Sequence, residues 1–322
     1  MLAAALQALA IPFPDIDPAL FTVPGFSLFG LEIGPFSLRW YALSYLAGLL
    51  LGAWWIARLM KRPALWPGSE APMPAARIED LLFYMVIGVV AGGRIGYVLF
   101  YQPQMLIEDP FSVFAVWQGG MAFHGGMLGV ILAVVLFSRA HGVPMLQLGD
   151  AVACATPFGL LFGRLANFIN AELWGRLTEQ PWGMVFPTVR PLAENLLRSP
   201  DLEYRQFGAE ILATADLPRH PSQLYEAASE GLLLFAILAW LAYRTDALKR
   251  PGLCTGVFLI GYGLARGICE FFRQPDVVKN LELFGQEVTR GQLLCIPMIL
   301  AGLVFVWIAR REGAGTPAPS AP

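Results

Sequence analysis

Apolar runs of about twenty residues recur along this chain, separated by shorter segments rich in Pro, Gly and charge. A run of that length matches the roughly 20 residues that carry a helix across a bilayer core. The pattern predicts helices over Leu38–Met60, Ile78–Tyr101, Met121–Ser138, Leu146–Ile169, Ser222–Tyr243, Gly252–Phe272 and Gln292–Ala309. The fold class is therefore expected to be all-α, a polytopic membrane protein with about seven transmembrane helices. The longest polar stretch, about Asn170–Pro221, falls between the fourth and fifth helices and is expected to form a small extramembrane head. Residues 12–36, rich in Pro, Gly and Phe, read as an ordered or interfacial segment ahead of the membrane. Residues 1–311 are expected to form a single membrane domain, and the small, Pro-rich stretch 312–322 a disordered tail. Gly88, Gly92 and Gly96 make a small-xxx-small ladder on the second helix, the pattern that lets two helix backbones approach closely.

Composition strengthens this picture. The chain has 322 residues, 56% of them hydrophobic and only 14% charged, against roughly 25% charged in soluble domains. A net charge of -2, with no basic block, gives no reason to expect a nucleic-acid partner. One set of loop ends carries Arg58, Lys61, Arg62 and Arg77, then Arg139, then Arg244, Lys249 and Arg250, then Arg310 and Arg311. The opposite set carries Glu108 and Asp109, then Asp276, Lys279, Glu282, Glu287 and Arg290. The positive-inside rule puts the first set in the cytoplasm, so the N-terminus and the long 170–221 loop are expected outside. The N-terminal MLAAALQALAIPFPDIDP lacks a positive n-region and meets Pro12 and Pro14 early, which makes it a poor secretory signal. Cys154, Cys254, Cys269 and Cys295 all sit in apolar runs without metal-ligand spacing, and His124, His141 and His220 are dispersed. Neither a metal nor a cofactor is expected.

Polar residues inside the apolar runs carry the candidate chemistry. In GRLANFINAELWG, Arg164, Asn167 and Asn170 stand at i, i+3 and i+6, with Glu172 just beyond. A guanidinium in lipid keeps its charge and needs partners for five donors, so it marks a functional site or a structural polar knot. Tyr262, Arg266, Glu270 and Arg273, at i, i+4, i+8 and i+11, form one polar stripe on the sixth helix with a positive surplus. Gln223, Tyr225 and Glu226 cluster at the level of Arg164, and Glu230 lies one turn deeper, able to pair with an arginine. Tyr41 lies just inside the first helix and could offer its hydroxyl. Arg94 admits two readings, snorkelling to the headgroup plane or a functional cation. His124 is either a hydrogen-bonded structural residue or a catalyst; Gly125, Gly126 and Gly129 would let a lipid or another backbone approach its ring. Asp150 and His141 read as capping or loop residues. Two guanidiniums in the outer halves of the fourth and sixth helices call for an anion, and their forked donors suit phosphate. The residues thus point to an intramembrane, outward-facing phosphate site with a histidine and a carboxylate nearby. A phospholipid headgroup supplies such an anion at that depth.

Several long strings resemble the bacterial prolipoprotein diacylglyceryl transferase family: RWYALSYLAG, GGRIGYVLFY, WQGGMAFHGG, GRLANFINAELWG, HPSQLYE and LIGYGLARGICEFFRQPD. The resemblance covers about Asp15 to Arg311; Ala166 departs from the glycine that many members carry. It implies an enzyme of the bacterial inner (cytoplasmic) membrane, with a periplasmic N-terminus and head and a cytoplasmic C-terminus. The implied reaction moves the diacylglyceryl group of phosphatidylglycerol to the lipobox cysteine thiol of a prolipoprotein signal peptide. A thioether forms and glycerol phosphate leaves. The implied roles are catalytic for Arg164 and Arg266, which stabilise the leaving phosphate, and for His124, a candidate base. Tyr41, Arg94, Asn167, Asn170, Glu172, Tyr262 and Glu270 are the implied substrate-binding set. A non-catalytic phospholipid transporter or scramblase using the same arginine cavity is the alternative.

Overall fold

Nine principal helices organise the computed structural model, which describes residues 10–28, 31–275, 281–283 and 286–314. They are α1 (Trp40–Met60), α2 (Ile78–Tyr101), α3 (Phe123–His141), α4 (Met145–Ile169), α5 (Val189–Leu197), α6 (Leu202–Ala213), α7 (Ser222–Arg244), α8 (Leu253–Cys269) and α9 (Arg290–Ala314). Among the described residues, six of these, α1 to α4, α7 and α9, are long and apolar enough to cross a membrane. The helix α8 is apolar but only 17 residues long. Leu50, Trp54, Phe83, Ile87, Leu132, Trp240 and Leu300 stand exposed along the long helices. Large apolar surface of that kind is what lipid, and not water, would cover.

The all-α expectation needs a correction, because short strands occur among the described residues. Strands β1 (Ile11–Pro12) and β6 (Met184–Val185) pair in parallel, and β2 (Ala19–Val23) pairs antiparallel with β5 (Phe36–Arg39). Strands β3 (Phe26–Leu28) and β4 (Leu31–Ile33), and β7 (Leu281–Leu283) and β8 (Gln286–Val288), form two further hairpins. Segments of two to five residues between Pro and Gly are too short to show a period, so only their pairing reveals them. Pairing of β5 with β2 also moves the start of α1 to Trp40, two residues after the expected Leu38. The expected disordered tail, 312–322, lies outside the described residues from 315 onward, as do Asp276 and Lys279 of the loop-charge count.

By packing, the chain divides into two units, the first comprising Met1–Gly48, Thr156–Ile237 and Val257–Val304. Inside it, α5, α6 and the turns beside them bury Trp174, Phe186, Val189, Ala193 and Ile211, with Phe13 and Phe168 packed on this cluster. The 170–221 stretch thus brings its own small core. The second unit comprises Leu49–Ala155, Leu238–Gly256 and Phe305–Pro322. There α2 and α3 meet along glycines: a Cβ on Gly88, Gly92, Gly125 or Gly129 would overlap the facing backbone. Asp150, fully buried, accepts hydrogen bonds from the Gly252 and Thr255 amides at 2.7 Å and from the Thr255 hydroxyl at 2.8 Å. It therefore caps the start of α8.

Candidate functional site

The first unit assembles its charges from three helices. Arg164 comes from α4, Glu226 and Glu230 from α7, and Arg266 from α8, with Glu270 and Arg273 just past its end. Close packing sets their spacing: a Cβ on Gly231 would lie 2.8 Å from the Leu161 Cα, so α7 and α4 touch by backbone one turn from Arg164. Over Ala227–Leu233 the α7 backbone widens into a π-helical stretch between two α-helical ones. Such insertions are rare and recur at functional sites, because they rotate the flanking side chains relative to one another.

Five ion pairs link the cluster directly. Arg164 Nη1 lies 3.0 Å from Glu226 Oε2, and its Nη2 lies 3.3 Å from Glu230 Oε2. Its Nε donates to the same Glu230 oxygen at 3.3 Å. Arg266 donates through Nη1 to Glu226 Oε1 and through Nη2 reaches Glu270 Oε2 at 2.7 Å. Arg273 Nη1 stands 3.6 Å from Glu226 Oε1. Glu226 and Glu230 are fully buried, while the side chains of Arg164, Arg266 and Arg273 keep 16%, 15% and 12% exposure. Each arginine therefore retains a small accessible edge from which a ligand could be met. The positive surplus expected from the α8 stripe alone is corrected here, since α7 supplies two buried carboxylates. Three guanidiniums face three carboxylates, and the cluster is formally neutral when all are ionised.

A second polar group sits at the end of α4. The Asn167 amide donates to Glu172 Oε1 at 2.7 Å and that of Asn170 to the same oxygen at 3.4 Å. Glu172 is turned back toward α4 by Ala171 and Leu173, whose φ values are +53° and +57°. Left-handed backbone at two non-glycine residues is strained and persists only where the surroundings impose it. Those surroundings are the start of α7: Gln223 Nε2 donates to the Glu172 carbonyl at 2.5 Å and Ser222 Oγ to the Leu173 carbonyl at 3.0 Å. Gly175 closes the stretch between the backbones of His220 and Phe272, where a Cβ would come within 2.5 Å of both carbonyl oxygens. Tyr41 lies beside Asn167 and Glu172, with its hydroxyl 3.4 Å from that of Tyr45. Tyr262, one turn before Arg266, lies within electrostatic reach of both arginines and of Glu226 and Glu230.

Next to these groups, the Trp182 Nε1–H donates to the Tyr225 hydroxyl at 2.6 Å, and His220 Nδ1 lies 3.1 Å from the same oxygen. Burial holds the His220 imidazole below its usual range. Arg219, in the preceding position, is 2% exposed and leans on neutral partners: the Trp174 ring at 4.4 Å, Thr214 Oγ1 at 2.9 Å and Gln274 Oε1 at 3.2 Å. Burial draws its guanidinium down to about 10, against a weaker opposing pull from Glu210.

Two of the ten residues expected to form the site lie in the second unit. His124, in the first turn of α3, is exposed, with its ring edge-on to Phe123 at 5.6 Å. Gly125 and Gly129 beside it pack against the α2 backbone. Arg94 is buried and its guanidinium donates to the backbone carbonyls of Ser112, Val113, Gly119 and Gly120 at 2.5–3.3 Å. It pins the α2–α3 connection and lines a cavity of about 220 Å³ with Tyr97, Gln102 and Met105. Of the ten residues expected to form the site, Tyr41, Arg164, Asn167, Asn170, Glu172, Tyr262, Arg266 and Glu270 fall in the first unit. Glu226, which touches three arginines, is outside the ten residues expected to form the site. Its only early signal was its place at the level of Arg164.

The model of the prolipoprotein diacylglyceryl transferase family matches residues 29–308. The chain is 51% identical over 312 residues to a phosphatidylglycerol–prolipoprotein diacylglyceryl transferase of Ruegeria pomeroyi, covering 94% of this chain and 98% of that one. Proteins of the same name from Cereibacter sphaeroides and Rhizobium meliloti are 48% and 44% identical, each over 94% of this chain and over 98% and 96% of their own lengths. With the family's model spanning most of its length and relatives this similar end to end, the chain belongs to the prolipoprotein diacylglyceryl transferase family.

Proposed function

We propose that the chain transfers the diacylglyceryl group of phosphatidylglycerol to the lipobox cysteine thiol of a prolipoprotein, forming a thioether and releasing glycerol phosphate. This is the first step of bacterial lipoprotein maturation. Family membership supports the reaction, and one observation carries the assignment of roles. Arg164 and Arg266, from two apolar helices, converge on one buried carboxylate, Glu226, while each keeps an accessible edge. Displacement of a phosphate ester at carbon builds negative charge on the leaving oxygen. Fixed donors in a water-poor site stabilise that charge without reorganising. In this proposal Arg164 and Arg266 hold the leaving phosphate. Asn167, Asn170, Glu172 and Tyr41 fit the polar headgroup, and Tyr262 and Glu270 hold the arginines. Arg94 shapes the α2–α3 connection, and His124 takes the thiol proton, since the thiolate is the nucleophile.

The proposal extends to the membrane. Helix α8 has 17 residues, about 25 Å at 1.5 Å per residue, the lower limit for a span, and serves as the seventh crossing. Seven crossings, with the basic loop ends in the cytoplasm, place the N-terminus and the 170–221 head in the periplasm and the C-terminus in the cytoplasm. The enzyme then sits in the inner membrane, with its arginine cluster toward the outer leaflet. Incubation of the purified protein with phosphatidylglycerol and a lipobox-cysteine peptide tests the proposal. The peptide gains the mass of a diacylglyceryl group. Lipid movement across liposomes with no mass gain would overturn the proposal in favour of a transporter.

A further inference from the structure

The charge balance of the arginine cluster poses a problem for the phosphate it is proposed to hold. Arg164, Arg266 and Arg273 already face Glu226, Glu230 and Glu270. An added phosphodiester would leave an unbalanced negative charge among groups almost removed from water, which is strongly disfavoured. One carboxylate has to give way.

The three carboxylates are not equivalent. Glu226 touches all three arginines. Glu270 is held by Arg266 at 2.7 Å and is wedged against the Gly291 backbone, where a Cβ would come within 2.9 Å of its carboxyl carbon. Glu230 has Arg164 alone as its ion-pair partner among the described residues, at 3.3 Å, through one oxygen. Its other oxygen, Oε1, is buried with no hydrogen-bond partner among the described residues. It also stands inside the π-helical stretch Ala227–Leu233, a rare backbone form that recurs at functional sites. Glu226 lies near it on α7, Arg164 faces it from α4, Tyr262, Arg266 and Cys269 from α8, and Cys295 from α9.

We infer that Glu230 is a positioning residue that competes with the substrate phosphate for Arg164: ionised, it occupies the guanidinium, and protonated, it releases it. This rests on the phosphate role proposed above. Headgroup binding is then coupled to the uptake of one proton by the Glu230 carboxylate. The phosphodiester keeps its single charge throughout, so the pH dependence belongs to the protein. On the alkaline side of the Glu230 titration, affinity falls about tenfold per pH unit, in proportion to the protonated fraction.

Calorimetric titration of the full-length protein with phosphatidylglycerol in mixed micelles, between about pH 5 and 9 and in buffers of different ionisation enthalpy, tests this. Wild-type protein should bind more weakly as pH rises and take up close to one proton per lipid on the alkaline side. Glu230→Gln should bind at the alkaline end as tightly as wild type does at the acid end, with no proton uptake. A folded Glu230→Gln protein that keeps the wild-type slope, or loses binding at all pH values, would overturn the inference. Should that variant not fold, absence of proton uptake by wild type overturns it equally. Arg164→Ala separates the two levels: unchanged binding in that variant sinks the phosphate role itself. Lost binding there, with an unaltered slope in Glu230→Gln, sinks only the role of Glu230.

Discussion

Replacing Arg266 by alanine separates what the arginine cluster does for the fold from what it does for the reaction. The side chain contacts Glu226 and reaches Glu270 at 2.7 Å, with 15% of its own surface exposed. Removing one partner of a buried pair costs about 3–5 kcal/mol, because the other charge stays buried. Glu226 keeps Arg164 at 3.0 Å and Arg273 at 3.6 Å, but Glu270 loses its ion-pair partner among the described residues, so the whole range of about 3–5 kcal/mol applies. At roughly 2–4 °C per kcal/mol for a large domain, melting falls by about 6–20 °C. The effect on turnover is larger in kind. Loss of one preorganised donor to a developing charge costs about 10²–10³-fold, so loss of a whole guanidinium removes at least that much. Arg266→Lys keeps the charge but not the fork, and should regain more stability than turnover. The assay is melting of detergent-purified protein alongside the diacylglyceryl mass shift of a lipobox peptide. A folded Arg266→Ala protein with near wild-type turnover would refute the reasoning. So would a loss of turnover fully accounted for by the unfolded fraction.

If His124 takes the thiol proton, His124→Asn lowers kcat by about 10²–10⁴-fold with the KM for phosphatidylglycerol unchanged; full activity at neutral pH removes it as the base. Asp150→Ala strips three hydrogen bonds from the start of α8 and should cost about 2–3 kcal/mol, read as lower melting of the full chain. His220, depressed by burial, resists protonation in the folded protein while the unfolded chain accepts it freely. Its contribution to stability is full above about pH 6.5 and is lost as pH falls below that. His220→Phe should therefore flatten the acid-side fall in melting temperature, and an unchanged fall would refute the assignment.

The sequence by itself determined the membrane character and the number of membrane-length apolar helices to within one, and it marked the polar residues proposed for the site. Hydrophobic run length is a local quantity set by the bilayer, so the spans show without tertiary information. Charged residues in apolar runs are rare enough that Arg164 and Arg266 stand out one at a time. The small strands beneath residues 12–36 escaped because two- to five-residue segments acquire their partners only in the folded chain. The charge state of the site escaped for a related reason. Along the chain, Glu226 stands at the level of Arg164 and Glu230 one turn deeper, able to pair with an arginine, but spacing does not say which arginines they meet. Only the close approach of α7 to α4 at Gly231 and Leu161, with the π-helical stretch that begins just after Glu226 and contains Glu230, places both against arginines from other helices. Whether a buried arginine is a free cation or one half of a pair depends on what lies across the helix interface. That is decided by three-dimensional packing and not by spacing along the chain.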